Sequence, residues 1–119
     1  MLFRSIVDVS NPAAPRRAGG YTIPDRIWGF AVAGDFVYVA ADLWGIGIVD
    51  VSNPAAPTLA GSFKTRGQAH SIDLWGTTAL FADHMLGIAF LDVSNPAKPS
   101  SIGSVFLDGY PRQIGRAHV

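Results

Sequence analysis

The chain has 119 residues, with 9 Lys and Arg balanced by 9 Asp and Glu, and so no formal net charge. That balance argues against a nucleic-acid footprint, which needs a clustered basic face, and the absence of cysteine excludes disulfide frameworks and thiol chemistry. No apolar run approaches the roughly 18 residues of a membrane span, while 13 glycines, 8 prolines and acids that are all aspartate disfavour helix and suit strands joined by tight turns.

Taken from its first residue, the chain opens on a stretch that is set aside. The reverse complement of one DNA spelling of Ile114–Val119 (IGRAHV) contains GTG CTC TTC CGA, which reads as Met1-Leu2-Phe3-Arg4 with GTG as start codon. The two ends of an insert flanked by one sequencing adaptor have that relation, so residues 1–5 and 114–119 are expected to be adventitious. Leu2 and Phe3 are nevertheless expected to extend a strand beside Ile6–Val9. The remaining residues, 6–113, are expected to form part of one repeat domain.

The repeat is plain. DVSNPAAP stands at Asp8–Pro15 and again at Asp50–Pro57, and DVSNPAKP follows at Asp92–Pro99. Each copy comes 42 residues after the last, which divides the chain into units 8–49, 50–91 and 92–113. A fixed period of that size marks a repeat architecture. An apolar run precedes every copy, and a glycine follows four residues after its last proline, at Gly19, Gly61 and Gly103.

Punctuation places four strands in each period. In the first whole unit they are Gly29–Ala33, Phe36–Ala41, Ile46–Val51 and Thr58–Phe63, with a hairpin turn at Gly34-Asp35. In the second they are His70–Trp75, Thr78–Ala82, Gly87–Val93 and Ser100–Phe106, with the turn at Gly76-Thr77. The runs Phe36–Ala41 and Ile46–Val49 are apolar throughout, so both faces of the sheet must be covered. Trp75 is expected to pack against a neighbouring unit. Four strands in about 42 residues, covered on both faces, match the blade of a β-propeller. The fold class is therefore all-β: antiparallel four-stranded blades, here an open set of two to three.

The stretches Ile46-Gly47-Ile48-Val49-Asp50 and Ile88-Ala89-Phe90-Leu91-Asp92, each leading into VSNP, resemble LVIVD repeats, and so does the copy ending Ile6-Val7-Asp8. The resemblance implies a β-propeller of bacterial or archaeal cell-surface or secreted proteins, hence an extracellular location. It brings no catalytic motif and no cofactor. Gly47 and Ala89 depart from the pattern, standing where a larger aliphatic is usual.

The turn residues Asp8, Asn11, Pro12, Asp50, Asn53, Pro54, Asp92, Asn95 and Pro96 are expected to be structural. Asp and Asn close a turn by bonding its backbone, and proline presets φ. A calcium loop would need several carboxylates at alternating spacing.

Strand count puts the DVSNP turns and the Gly34 and Gly76 turns on one rim. The opposite rim holds segments that differ between units: Ile23–Trp28, Thr65–His70 and Leu107–Arg112 align, as do Asp42–Trp44 and His84–Leu86. Trp28, His70 and Arg112 coincide just before the inner strand, with Arg26, Gln68 and Tyr110 two residues earlier. Differing loops on a rigid scaffold carry recognition, and Trp, Tyr and Arg anchor interfaces. The candidate ligand-binding residues are Arg26, Trp28, Trp44, Arg66, His70, His84, Tyr110 and Arg112. His70 and His84 with Asp83 fall short of the three or four ligands of a zinc site, and no serine lies in a Gly-x-Ser-x-Gly elbow. No metal, cofactor or catalytic residue is therefore assigned. The expected function is binding or scaffolding, with a protein or carbohydrate as ligand and the remaining blades of the same propeller as partners. The alternative is an extracytoplasmic hydrolase or lyase with its site on this rim.

Overall fold

The structure is a computed structural model, and the residues it describes are 2–8, 16–84 and 87–105. They form three antiparallel sheets and no helix. A two-stranded sheet pairs β1 (Leu2–Asp8) with β2 (Arg16–Ile23). A four-stranded meander follows: β3 (Gly29–Ala33), β4 (Phe36–Ala41), β5 (Gly45–Asp50) and β6 (Thr58–Phe63). A second repeats it with β7 (Ala69–Trp75), β8 (Thr78–Asp83), β9 (Gly87–Asp92) and β10 (Ser100–Val105). These are the four-stranded blades that the period predicts, with strand ends within a residue of those expected. The β1–β2 pair stands one period before β5–β6 and is the outer half of a preceding unit. Leu2 and Phe3 extend its first strand, as expected.

The hairpins owe their tightness to Gly34 and Gly76, whose φ values of 58° and 61° lie where side chains are disfavoured. A positive φ at the first of two loop residues matches the right-handed twist of the strands they join. At the C-terminal end of β5, the Ser52 amide donates to Asp50 Oδ1 at 2.8 Å and the Ala55 amide to Asn53 Oδ1 at 3.2 Å. The second unit repeats both bonds, from Ser94 to Asp92 at 2.9 Å and from Ala97 to Asn95 at 3.1 Å. The turns are thus closed by their own carboxylate and amide, which is the structural role expected of them. The Ser52 and Ser94 amides, and then their hydroxyls, hold the Asp50 and Asp92 carboxyls below the usual 3.8. Asp8 closes β1, while Asn11 and Pro12 of the first copy lie outside the described residues.

The two described DVSNP turns are each tied to the hairpin of their own blade. The Val51 amide donates to the Asp35 carbonyl at 2.7 Å, and the Val93 amide to that of Thr77 at 2.9 Å. Both kinds of turn therefore share one rim, which leaves the connectors on the other.

The sheets stack face to face. Tyr38, Ala40, Ile46 and Ile48 of the first blade meet Ile72, Ala79, Phe81, Ala89 and Leu91 of the second in one buried cluster. Burial pushes the Tyr38 phenol above its usual value of 10.0. The other face of the first blade, with Val39, Ala41 and Val49, packs on Ile23 of β2 and on Ile27. Fully burying one such aliphatic side chain contributes roughly 1.5–3 kcal/mol. The continuous apolar runs of β4 and β5 thus exist because both faces are covered.

Glycine sets how closely the units approach. A Cβ built on Gly19 would overlap the Pro54 carbonyl oxygen, and one on Gly61 would overlap that of Pro96. The outer strands β2 and β6 are bare at the points where the Asn-Pro turn of the next unit seats on them. Only a residue without a side chain permits this contact.

Strand alternation decides which way Trp75 points. Trp75 is a strand residue but is 63 % exposed and does not pack against the first blade. Successive strand residues face opposite ways, and it is Ile72 and Leu74 that join the inter-blade cluster. Trp75 therefore points to the far side of its sheet.

Candidate functional site

The connectors between units and the loops after β4 and β8 meet on the rim opposite the DVSNP turns. Asp42, just after β4, forms an isolated bridge with Ala69, the first residue of β7. Its amide donates to the Ala69 carbonyl at 3.2 Å and its carbonyl accepts from the Ala69 amide at 3.0 Å. The bridge joins one blade to the next and fixes the residue that follows, His70. Asp42 adopts φ 48°, a left-handed conformation that aspartate tolerates better than most residues.

Trp28 is fixed from two directions. Its amide donates to the Ala40 carbonyl at 2.9 Å, which starts the β3–β4 ladder. Its indole Nε1 donates to Asp42 Oδ2 at 3.2 Å. So held, the indole stacks on the His70 imidazole with ring centroids 4.8 Å apart and planes 4° from parallel. The Arg26 guanidinium carbon lies 5.2 Å from the centre of the Trp28 ring, within cation–π reach. His84 meets His70 edge-on at 5.1 Å.

Gln68 organises the histidines. Its Oε1 lies 2.9 Å from His84 Nδ1 and 3.3 Å from His70 Nε2. A carbonyl oxygen only accepts, so the ring nitrogens that meet it carry the protons. The His84 amide also donates to the Gln68 carbonyl at 3.0 Å. The stack is thus preorganised by groups from both blades, while Trp28 remains 43 % exposed and open to a partner.

Of the residues predicted from the sequence, Arg26, Trp28, His70 and His84 come together. Trp44 does not join them. Its amide donates to Asp25 Oδ2 at 3.1 Å, and its six-membered ring covers Gly47, where a Cβ would come within 2.6 Å of Cζ3. Gly47 departs from the repeat pattern to make room for this indole. Arg66 is exposed and lines a separate groove of about 400 Å³ with Phe63, Lys64, Phe81 and Phe90. Tyr110 and Arg112 lie outside the described residues.

Two residues outside the predicted set prove central. Gln68 aligns with Arg26 and lacks only an obvious chemical signal. Asp42 reads as an ordinary loop residue, because its bonds to Trp28 and Ala69 span 14 and 27 positions. Among the described residues no group of three His, Cys, Asp or Glu side chains is placed to hold a metal ion. Nor is any helix long and apolar enough to cross a membrane.

No curated protein matches the chain. The family model of the LVIVD repeat matches it in three segments, residues 5–23, 27–65 and 66–106. These follow the architecture: β1–β2, the first blade and the second blade, with each boundary falling in a rim connector. Repeat period, blade structure and family model agree, and the chain belongs to the LVIVD repeat family.

Proposed function

We propose that the chain is a binding or scaffold module without catalysis of its own, and that it recognises its ligand on the rim formed by Arg26, Trp28, His70 and His84. The observation that carries this is the parallel stack of Trp28 on His70. The two rings occupy the same position in successive units yet differ in chemistry, so the rim converges dissimilar groups where the DVSNP rim repeats identical ones. Holding an exposed indole in place before a partner arrives reduces the ordering cost of binding. An aromatic surface beside a guanidinium suits a protein or carbohydrate ligand, since both offer apolar faces edged by hydrogen-bonding groups. The resemblance to repeats of surface and secreted proteins supports a location at the exterior of a prokaryotic cell.

A glycan array and a displayed peptide library, each probed with the 119-residue chain, test the proposal. A bound member of either should lose at least about tenfold in affinity to Arg26→Ala and to His70→Ala, with unchanged melting temperature. Lys98→Ala, on the opposite rim, should bind normally. Ligands that both rim variants bind as well as the parent chain, ligands that are returned cleaved, or no bound member in either library would each contradict the proposal.

A further inference from the structure

The two junctions between units differ in what fills them. Between the β1–β2 pair and the first blade, the Trp44 indole lies over Gly47 and packs on a closed apolar cluster of Ile23, Val39 and Ala41, with Tyr21 at its margin. One period later, between the first blade and the second, the same positions line the open groove of about 400 Å³. Its walls carry Phe63, Phe81 and Ala89 where the first junction has Tyr21, Val39 and Gly47. Leu86 stands in the sequence where the first unit has Trp44, so the period supplies no second indole.

The rest of the lining turns from apolar to polar. Thr65 replaces Ile23, Asp83 replaces Ala41 and Ser101 replaces Leu59, while Lys64 and Arg66 stand for Thr22 and Pro24. Strand pairing puts Ser104 opposite Ala89 and Ser101 opposite Leu91, and directly opposed residues share a side of the sheet. Both serines therefore face the first blade, as Ala89 and Leu91 do. Depth separates the two chemistries. Phe81, Asp83 and Ala89 are buried at the floor, while Lys64, Arg66, Ser101 and Ser104 are exposed at the mouth. The connector that carries the cations is fixed. Thr65 Oγ1 donates to the Gly67 carbonyl at 2.8 Å and Lys64 Nζ to the Leu43 carbonyl at 2.9 Å.

We propose that this groove binds an aromatic carboxylate. The ring takes the place that the Trp44 indole takes in the preceding junction, and the carboxylate meets Arg66 and Lys64 at the mouth. The site is separate from the stack of Trp28 on His70 and does not depend on it. Its volume falls within the range of small-molecule sites, which are mostly apolar with a few placed polar groups. Phe63 and Phe81 offer faces and edges to a flat ring, and a guanidinium matches a carboxylate with two parallel hydrogen bonds. The acid of the lining, Asp83, is fully buried, so the charge presented to an arriving ligand is positive and selects against an ammonium group.

The test titrates the 119-residue chain with indole-3-acetate and follows the backbone amides by NMR. Shifts should gather at Lys64, Arg66, Ser101 and Ser104 and saturate with a dissociation constant of about 1 mM or below, the scale that a ligand of this size reaches. Tryptamine, with the same ring and the opposite charge, should bind at least about tenfold more weakly. Arg66→Glu should weaken binding of the acid about tenfold. Ser104→Trp, which lays an indole across the groove from the side of Ala89, should abolish it at an unchanged melting temperature, and Lys98→Ala should bind as the parent does. A short peptide ending in a tryptophan carboxylate, run beside the free acid, separates the two sources of this chemistry. Tighter binding of the peptide identifies a chain terminus and tighter binding of indole-3-acetate a free small molecule, and either supports the site. The proposal is overturned if tryptamine binds as well as the acid, if Ser104→Trp keeps the parent affinity, or if no shift saturates below about 10 mM. It is equally overturned if the shifts gather at Trp28 and His70 instead, which would put the acid on the rim.

Discussion

Trp44 and Gly47 show how a single departure from the repeat is compensated within the chain. The indole of Trp44 lies over the backbone at Gly47, with Cζ3 and Cη2 at 2.6 and 2.8 Å from where a Cβ would stand and Ile23 Cδ1 at 3.9 Å. One period later the aligned residues are Leu86 and Ala89, so in the sequence a smaller side chain accompanies a position that carries a methyl group. Gly47→Val should therefore destabilise the chain by about 1–3 kcal/mol through overpacking. Adding Trp44→Leu should recover part of that loss. Urea unfolding of the two single variants and the double variant measures the coupling, and additive effects would show that the two residues do not share one space.

Among the elements, the DVSNP turns bring closure, spacing and acid sensitivity together. Their amide-bonded carboxylates at Asp50 and Asp92 have folded-state pKa values below the usual 3.8. A carboxyl whose pKa is lower in the folded chain than in the unfolded one stabilises the fold when ionised. The contribution is present above the unfolded value of about 3.8 and is lost as pH falls through the lowered folded value. Melting temperature should thus decline below about pH 4, and Asp50→Asn with Asp92→Asn should flatten that decline while costing stability at pH 7. A decline equally steep in the double variant would place the acid-labile groups elsewhere. The turn chemistry was legible in the sequence because it is local: Asp, Ser, Asn and Pro act within four residues of one another. The role of the following glycine was not, because Gly19 and Gly61 meet prolines 35 positions further on. A distance in sequence does not show which backbone lies above which.

At the scale of the whole molecule, the 42-residue period determined strand number, strand direction and the partition of turns between two rims. It thereby put Trp28 and His70 at matching positions before any contact between them was known. The period does not encode side-chain rotamers, so the sequence left Trp44 with the rim candidates although Gly47 holds it in packing. Which face of β7 meets the first blade was illegible for a related reason. The bulge in β7 between Ala69 and Ser71 sets which residues face the first blade, and a bulge has no sequence mark here. What the stacked blades achieve is convergence, in which neighbouring units bring unlike side chains to one point on the rim. Proton NMR of the 119-residue chain tests this most directly. An imidazole lying parallel to an indole with centroids 4.8 Å apart sits in the ring current, so the His70 ring protons should resonate upfield of their free positions. They should also show cross-relaxation to Trp28, and both signals should vanish in Trp28→Ala. His70 protons at free-imidazole positions, unchanged by Trp28→Ala, would contradict the convergence of adjacent blades.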